Sequence, residues 1–268
     1  FTTASSYAGS YTGVNGLESG DITINGVSIG AADTGADTAS ATSSSDGSNI
    51  LSSEKEASGI AIASAINTVS GETGVTASVQ PTSVVGGTGA NSVPADFSAA
   101  DGDAADLFIN GVSVGTVTLQ NDGTGLVVDT DRAKSDAIAA INLVAGQTGV
   151  TAEDNGISIT LTAADGRNIS VAIDDKSGSD TSIGAILGLD AAVDGIGEST
   201  FGDTSVLATR AISSEAETYE TTYSTVKLSS AGEITVSTAN GNTELEAAGF
   251  TEGGFGGGVS GQFLQDVD

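Results

Sequence analysis

Carboxylates are the most abundant groups in this chain that could do chemistry, and several stand close together. Asp101 lies near Asp103, Asp129 near Asp131, and Asp174 beside Asp175. Two carboxylates can drive acid–base hydrolysis when they face each other across a concave site with split pKa values. Nothing in the spacing sets any of these pairs across a cleft, and acids of this kind ordinarily occupy turns and loops. There is no His and no Cys. That removes Ser-His-Asp triads, thiolate nucleophiles, disulfides and zinc sites of the usual kind. The absence of Cys does not identify a compartment. No Gly-rich loop is followed by Lys-Ser/Thr, so there is no phosphate cradle. The chain reads as a non-enzyme, with no catalytic residue and no cofactor.

Calcium is the next chemistry to weigh, because Asp and Asn oxygens on loops are its natural ligands. No complete Asp-x-Asp-x-Asp-Gly loop with a distal Glu occurs. Residues 86–94 match a single nonapeptide of a calcium-binding β-roll, but such rolls need several stacked copies. That stretch reads as a flexible crossing, and the expected metal sites are none. Four asparagines also invite a ligand reading. Hairpin geometry accounts for Asn25 and Asn110, and Asn67 and Asn142 at helix ends are expected to bond local backbone.

The elements that would position these groups come from a sparse apolar set. Of 268 residues, 38% are apolar and 4% aromatic, without Trp, so a core must be layered from Val, Ile, Leu and Ala. There are 38 Gly but only 2 Pro, and the apolar residues fall in periodic clusters, which marks a folded, loop-rich chain. The formal charge is -28, from 35 acids against 7 bases. Such a field repels nucleic acid and anionic membrane and keeps the surface soluble. No run approaches the roughly 18 apolar residues of a membrane helix. No basic-then-apolar signal peptide opens the chain, which begins at Phe1 without Met and reads as a fragment or a processed chain.

An internal repeat organises the rest. Asp-Ile-Thr-Ile-Asn-Gly-Val-Ser-Ile-Gly at 21–30 returns as Asp-Leu-Phe-Ile-Asn-Gly-Val-Ser-Val-Gly at 106–115. Each alternates apolar and polar residues around Asn25-Gly26 or Asn110-Gly111, the preferred centre of a type I′ hairpin. Residues 65–77 are echoed at 140–152. The three-and-four spacing predicts helices over 54–69 and 132–144, ending at Gly71 and Gly146, followed by strands at 75–79 and 150–152. A second hairpin is expected around Asp165-Gly166, between strands at 157–162 and 169–173. A short apolar helix is expected over 181–189. The repeated structural positions are Ile66, Asn67, Gly74 and Val75 in one copy, and Ile141, Asn142, Gly149 and Val150 in the other.

After Gln80 the first copy meets Pro81, Gly86-Gly87 and Pro94, which is loop chemistry. Its missing continuation surfaces at 226–236, which matches 160–171 in pattern, and 245–250 stands where 186–189 stood. The expected fold is α+β: two related modules of β-hairpins packed with a helix, the second inserted in the first. The outer, discontinuous module would be 1–80 and 200–268, the crossing linker 81–102, and the inserted distal module 103–199. A row of sequential units is the competing arrangement.

The segments Ile24-Asn25-Gly26-Val27 with 66–77, and 109–112 with 141–152, resemble the IN motif of bacterial flagellins and related flagellar proteins. Residues 226–250 resemble the stretch that follows in many flagellins. Residues 263–268 resemble the point where a flagellin chain re-enters its C-terminal helices. The likeness covers most of the chain, through short Gly/Ala-rich motifs in the right order. It departs in one respect: flagellins polymerise through long amphipathic terminal helices, and no sustained heptad pattern occurs here. The resemblance therefore implies the surface-exposed central region of a flagellin. Its partners would be other flagellin subunits, held through assembly helices missing from this chain, and its location the extracellular filament surface. It implies a structural role in motility, export through the flagellar channel, and a monomeric fragment in dilute solution. Exposed Ser and Thr would be candidate O-glycan acceptors. The alternatives are a flagellar cap or junction protein domain, or a calcium-dependent extracellular adhesin module.

Overall fold

A computed structural model describes residues 8–9, 16–40, 55–86, 102–121, 129–175, 184, 187, 189, 217–238, 250 and 252–256. In chain order these form β1 (Ala8–Gly9), β2 (Ile22–Ile24), β3 (Val27–Ser28), α1 (Gly59–Thr68), α2 (Ser70–Thr73), β4 (Val75–Val79) and β5 (Thr82–Val85). Then come β6 (Ala104–Ile109), β7 (Val112–Thr118), α3 (Thr130–Leu143), α4 (Ala145–Thr148), β8 (Thr151–Asp154), β9 (Ile159–Ala163) and β10 (Ile169–Asp175). The last strands are β11 (Glu217–Thr222), β12 (Val226–Ser230), β13 (Ile234–Thr238) and β14 (Gly253–Phe255). The fold is α+β, and every strand ladder among the described residues is antiparallel.

Both Asn-Gly pairs turn as type I′ chemistry requires. Asn25 and Gly26 have φ of +52° and +79°, and Asn110 and Gly111 +49° and +75°. They join β2 to β3 and β6 to β7. The helices begin where side chains supply an N-cap. Ser58 accepts a hydrogen bond from Ala61 N, and Asp129 accepts one from Arg132 N. The first helix is therefore shorter than its periodicity predicts: residues 55–57 form a 3-10 turn ahead of Ser58. At the other end, Gly71 and Gly146 are not the stops. The chain continues into the short α2 and α4, and Gly74 and Gly149 take the left-handed position, with φ of +69° and +73°.

Most buried apolar residues among those described fall in two large clusters, with Ala57 and Tyr223 in a small third. One gathers Leu17, Ile22, Ile24, Ile29, Ile62, Ile66, Val75, Leu228, Ile234, Val236 and Phe250, from both ends of the chain. The other takes Leu107, Ile109, Leu119, Ala137, Ile141, Val150, Leu161, Ile169, Val171 and Leu187, all between 105 and 189. The pairing is parallel in the two. The β4–β12 ladder and the β14-β13-β2-β3 sheet serve the first cluster, and β8–β9 and β10-β6-β7 correspond to them in the second. Helix α1 lies on β4 and β12, and α3 lies on β8 and β7.

Three further features depart from the sequence reading. The turn at Asp165-Gly166 does not close a hairpin: β9 pairs with β8 and β5, while β10 pairs with β6 and β11. It is a corner between sheets, with both edges of β9 and both edges of β10 already paired, and Gly166 so close to Val79 that a Cβ there would meet its Cγ1 at 2.2 Å. The turn packs against the end of β4. Also, residues 82–85, read as part of a crossing linker, form β5 on the edge of β9. Similarly, β11, read with the outer portion, pairs with β10. Of the helix expected at 181–189, only Gly184, Leu187 and Leu189 are described, with both leucines buried. Residues 87–94, 194–203 and 263–268 lie outside the described residues, as does Asp101.

Candidate functional site

The carboxylates of the described residues do not gather into one cluster. Among the described residues no three Asp or Glu side chains come together as a metal site would require. Asp129 is spent capping α3, and Asp131 pairs with Lys134 Nζ at 3.3 Å. Lys134, a buried residue of α3, also reaches Asp154 at 4.0 Å. No helix among the described residues is long and apolar enough to cross a membrane.

The repeated asparagines are brought into a matched pair of constellations. Asn67 Nδ2 donates to Ala77 O and Ala77 N donates to Asn67 Oδ1, both at 2.8 Å. Asn142 repeats this with Ala152, at 2.8 and 2.9 Å. A helix is thereby fastened to the strand ten residues later through both halves of one peptide-like face. The asparagine amide suits this role because it offers one donor and one acceptor in a plane, as a strand neighbour would.

Asn25 and Asn110 do more than turn, so hairpin geometry alone does not account for them. Asn25 Nδ2 donates to Thr73 O at 2.8 Å, and Asn25 Oδ1 accepts from Thr235 N at 2.8 Å. Asn110 Nδ2 donates to Thr148 O at 2.9 Å, and Asn110 Oδ1 accepts from Ser170 N at 2.8 Å. Each hairpin tip is thus tied to the last turn of a helix and to the neighbouring strand, β13 or β10. Thr73 and Thr148 add a further matched element: their hydroxyls accept from Val75 N and Val150 N at 3.1 Å. Gly74 and Gly149 turn the chain between those partners, and Ile66 and Ile141 are fully buried beside them.

Two acids outside the repeat have shifted titration. Asp165 is held below the ordinary carboxylate range by the Arg167 side chain, against a smaller opposing effect of burial. Arg167 Nε and Nη2 both donate to Asp165 Oδ2, at 2.8 and 2.6 Å, and Nη1 donates to Thr148 O at 3.2 Å. The guanidinium also lies over Gly149, where a Cβ would meet Arg167 Cζ at 2.2 Å. Asp37 is 1% exposed. Burial raises its pKa, but the hydroxyl and N–H of Ser40, the hydroxyl of Ser58 and the N–H of Ala39 together hold it below the usual value. Sequence reasoning missed Asp37, because a lone Asp between Ala and Thr carries no spacing signal.

Around Asp37 runs a buried polar seam. Ala39 N and Ser40 N each donate to Asp37 Oδ1 at 2.9 Å. Asn168 N donates to Ser40 Oγ at 2.9 Å. Thr82 Oγ1 donates to Arg167 O at 2.6 Å, and Ser170 and Thr221 share a hydroxyl–hydroxyl bond at 2.7 Å. These bonds join Ser40 and Thr82 to Asn168 and Arg167, and Ser170 to Thr221.

No protein-family model matches the chain. No curated protein matches it either.

Proposed function

We propose that this chain is the solvent-exposed outer region of a flagellin, a structural element that shapes and shields the surface of a bacterial filament. The observation that carries the reading is the duplicated hairpin–helix–strand unit, with Asn25 and Asn67 in one copy and Asn110 and Asn142 in the other. It repeats the flagellin-like segments in order and ties them with the same hydrogen bonds. Every chemistry-bearing side chain in these constellations is bonded to backbone, which suits rigidity and leaves little to grip a substrate. In the proposed arrangement, residues 1–80 and 200–268 lie nearer the filament wall, and 103–199 form the distal module. Acidic charge on the outer surface keeps neighbouring filaments apart.

Antibodies raised against the purified chain test this reading on intact filaments from the source cells. Gold label along the full filament length is the expected outcome. Label confined to filament tips or to the hook boundary would replace it with a cap or junction protein. Label on the cell body alone would replace it with a surface adhesin.

A further inference from the structure

Asn155 is followed by Gly156 in the exposed turn between β8 and β9. An Asn-Gly pair is open to attack by its own backbone. The glycine nitrogen and the asparagine Cγ can close a succinimide ring, and glycine brings no Cβ to obstruct it. Closing that ring needs no distant approach, only rotation within one residue. Nothing lies within 4 Å of a Cβ position on Gly156, so the ring has room. The pairs at Asn25, Asn110 and Asn155 all lie among the described residues, and their surroundings differ.

At Asn155 the surroundings match the reaction atom by atom. Gly156 N, the nucleophile, donates to Asp154 Oδ1 at 2.8 Å, so a carboxylate is placed to take its proton. Asn155 Oδ1 accepts from Ile157 N at 3.0 Å and from Ser158 N at 2.7 Å. These are two fixed donors for the charge that develops on that oxygen. Asn155 Nδ2, the leaving nitrogen, lies 3.0 Å from the hydroxyls of both Ser158 and Thr160, which can relay a proton to it. At Asn25 and Asn110 the amide is engaged elsewhere. Nδ2 donates to the carbonyl oxygens of Thr73 and Thr148, which have no proton to give, and Oδ1 accepts from a neighbouring strand. Those clamps must open before the ring can close.

We propose that Asn155 is a site of self-catalysed deamidation. Gly156 N gives up its proton to Asp154 and bonds to Asn155 Cγ. The bond from Cγ to Nδ2 breaks, and Nδ2 leaves as ammonia, taking a proton through the Ser158 or Thr160 hydroxyl in place of the one that Asp154 received. The succinimide then takes up one water and opens to aspartate or isoaspartate. No oxidant and no cofactor takes part. The product carries one more negative charge. Its isoaspartate form adds a main-chain carbon to a turn that Asn155 N closes on Ser158 O at 3.1 Å. The site is independent of the flagellin reading.

The test incubates the whole folded chain at neutral pH and follows each Asn-Gly pair by peptide mass spectrometry, with electron-transfer fragmentation to mark isoaspartate. A parallel sample is held unfolded in urea. Asn155 is expected to convert about tenfold faster in the folded chain than in urea, and Asn25 and Asn110 more slowly than in urea. Asp154→Ala is expected to slow folded Asn155 by about tenfold and leave Asn25 and Asn110 unchanged. Those two would speed up in a chain that failed to fold, so they report folding within the same sample. Thr160→Val keeps the strand, removes one relay hydroxyl, and should slow Asn155 by about threefold. It carries the test if Asp154→Ala does not fold. Conversion of folded Asn155 no faster than in urea overturns the proposal. So does fast conversion that neither substitution slows, since exposure of the turn would then account for it.

Discussion

Asparagine carries most of the specificity of this fold, and the reason is geometric. At Asn67 and Asn142 one side chain satisfies both the N–H and the C=O of a strand residue that would otherwise face a helix. Removing the amide leaves both groups unpaired. Asn67→Ala and Asn142→Ala are each expected to cost about 1–3 kcal/mol in urea unfolding followed by circular dichroism. Asn67→Asp keeps the acceptor and loses the donor, so it should fall between wild type and Asn67→Ala. If Asn67→Ala unfolds with wild-type stability, the clamps are incidental.

Acid titration belongs to the same scale. Asp37 and Asp165 both have folded pKa values below their unfolded ones. The folded state therefore binds protons less readily at these groups, and each contributes stability that is complete above about pH 4. That contribution falls away as the pH drops through the lower folded values. Acid titration of stability should show Asp37→Asn losing part of the wild-type slope below pH 4. Asp165→Asn should lose less, since its side chain is 45% exposed and its pair with Arg167 is screened by water. A slope unchanged in Asp37→Asn would mean the buried carboxyl is already protonated.

At the scale of elements, each helix belongs to one apolar cluster. Ile66 of α1 and Ile141 of α3 are both fully buried, in separate clusters. Ile66→Ala should cost about 2–5 kcal/mol. Hydrogen exchange should show the loss in β2, β4, β12 and β13, while β6, β7 and β10 stay protected. Loss of protection spread evenly over both sets would show one cooperative unit.

These elements also show what could be read from the residues. Asn-Gly between alternating apolar positions specifies its hairpin locally, and both hairpins formed. The helices were legible in their periodicity, but their starts were set by Ser58 and Asp129 rather than by the first apolar residue. The Asp165-Gly166 turn looked like a hairpin because its flanks alternate. Its flanks instead pair with β5, β8, β6 and β11, and no local pattern reports those partners. Likewise β5 is four residues between Gly- and Pro-rich flanks, and only the free edge of β9 makes it a strand. The Asn25 and Asn110 side chains were read as turn formers because their partners at 73, 148, 170 and 235 are not sequence neighbours. Asp37 stands in no motif, and its partners Ala39 and Ser40 give it no spacing signal.

At the scale of the whole molecule, one apolar cluster gathers buried residues from 17–77 and 226–250 and the other from 105–189. A formal charge of -28 covers them. Among the described residues the repeated polar side chains are bonded to backbone, which fits the proposed structural role. The central claim is that the chain is the outer part of a major filament subunit. Peptide mass spectrometry of sheared, purified filaments from the source cells tests that claim most directly. The account predicts abundant peptides from this chain, contiguous with long helical segments on both sides. Peptides found only in the non-flagellar surface fraction would contradict it.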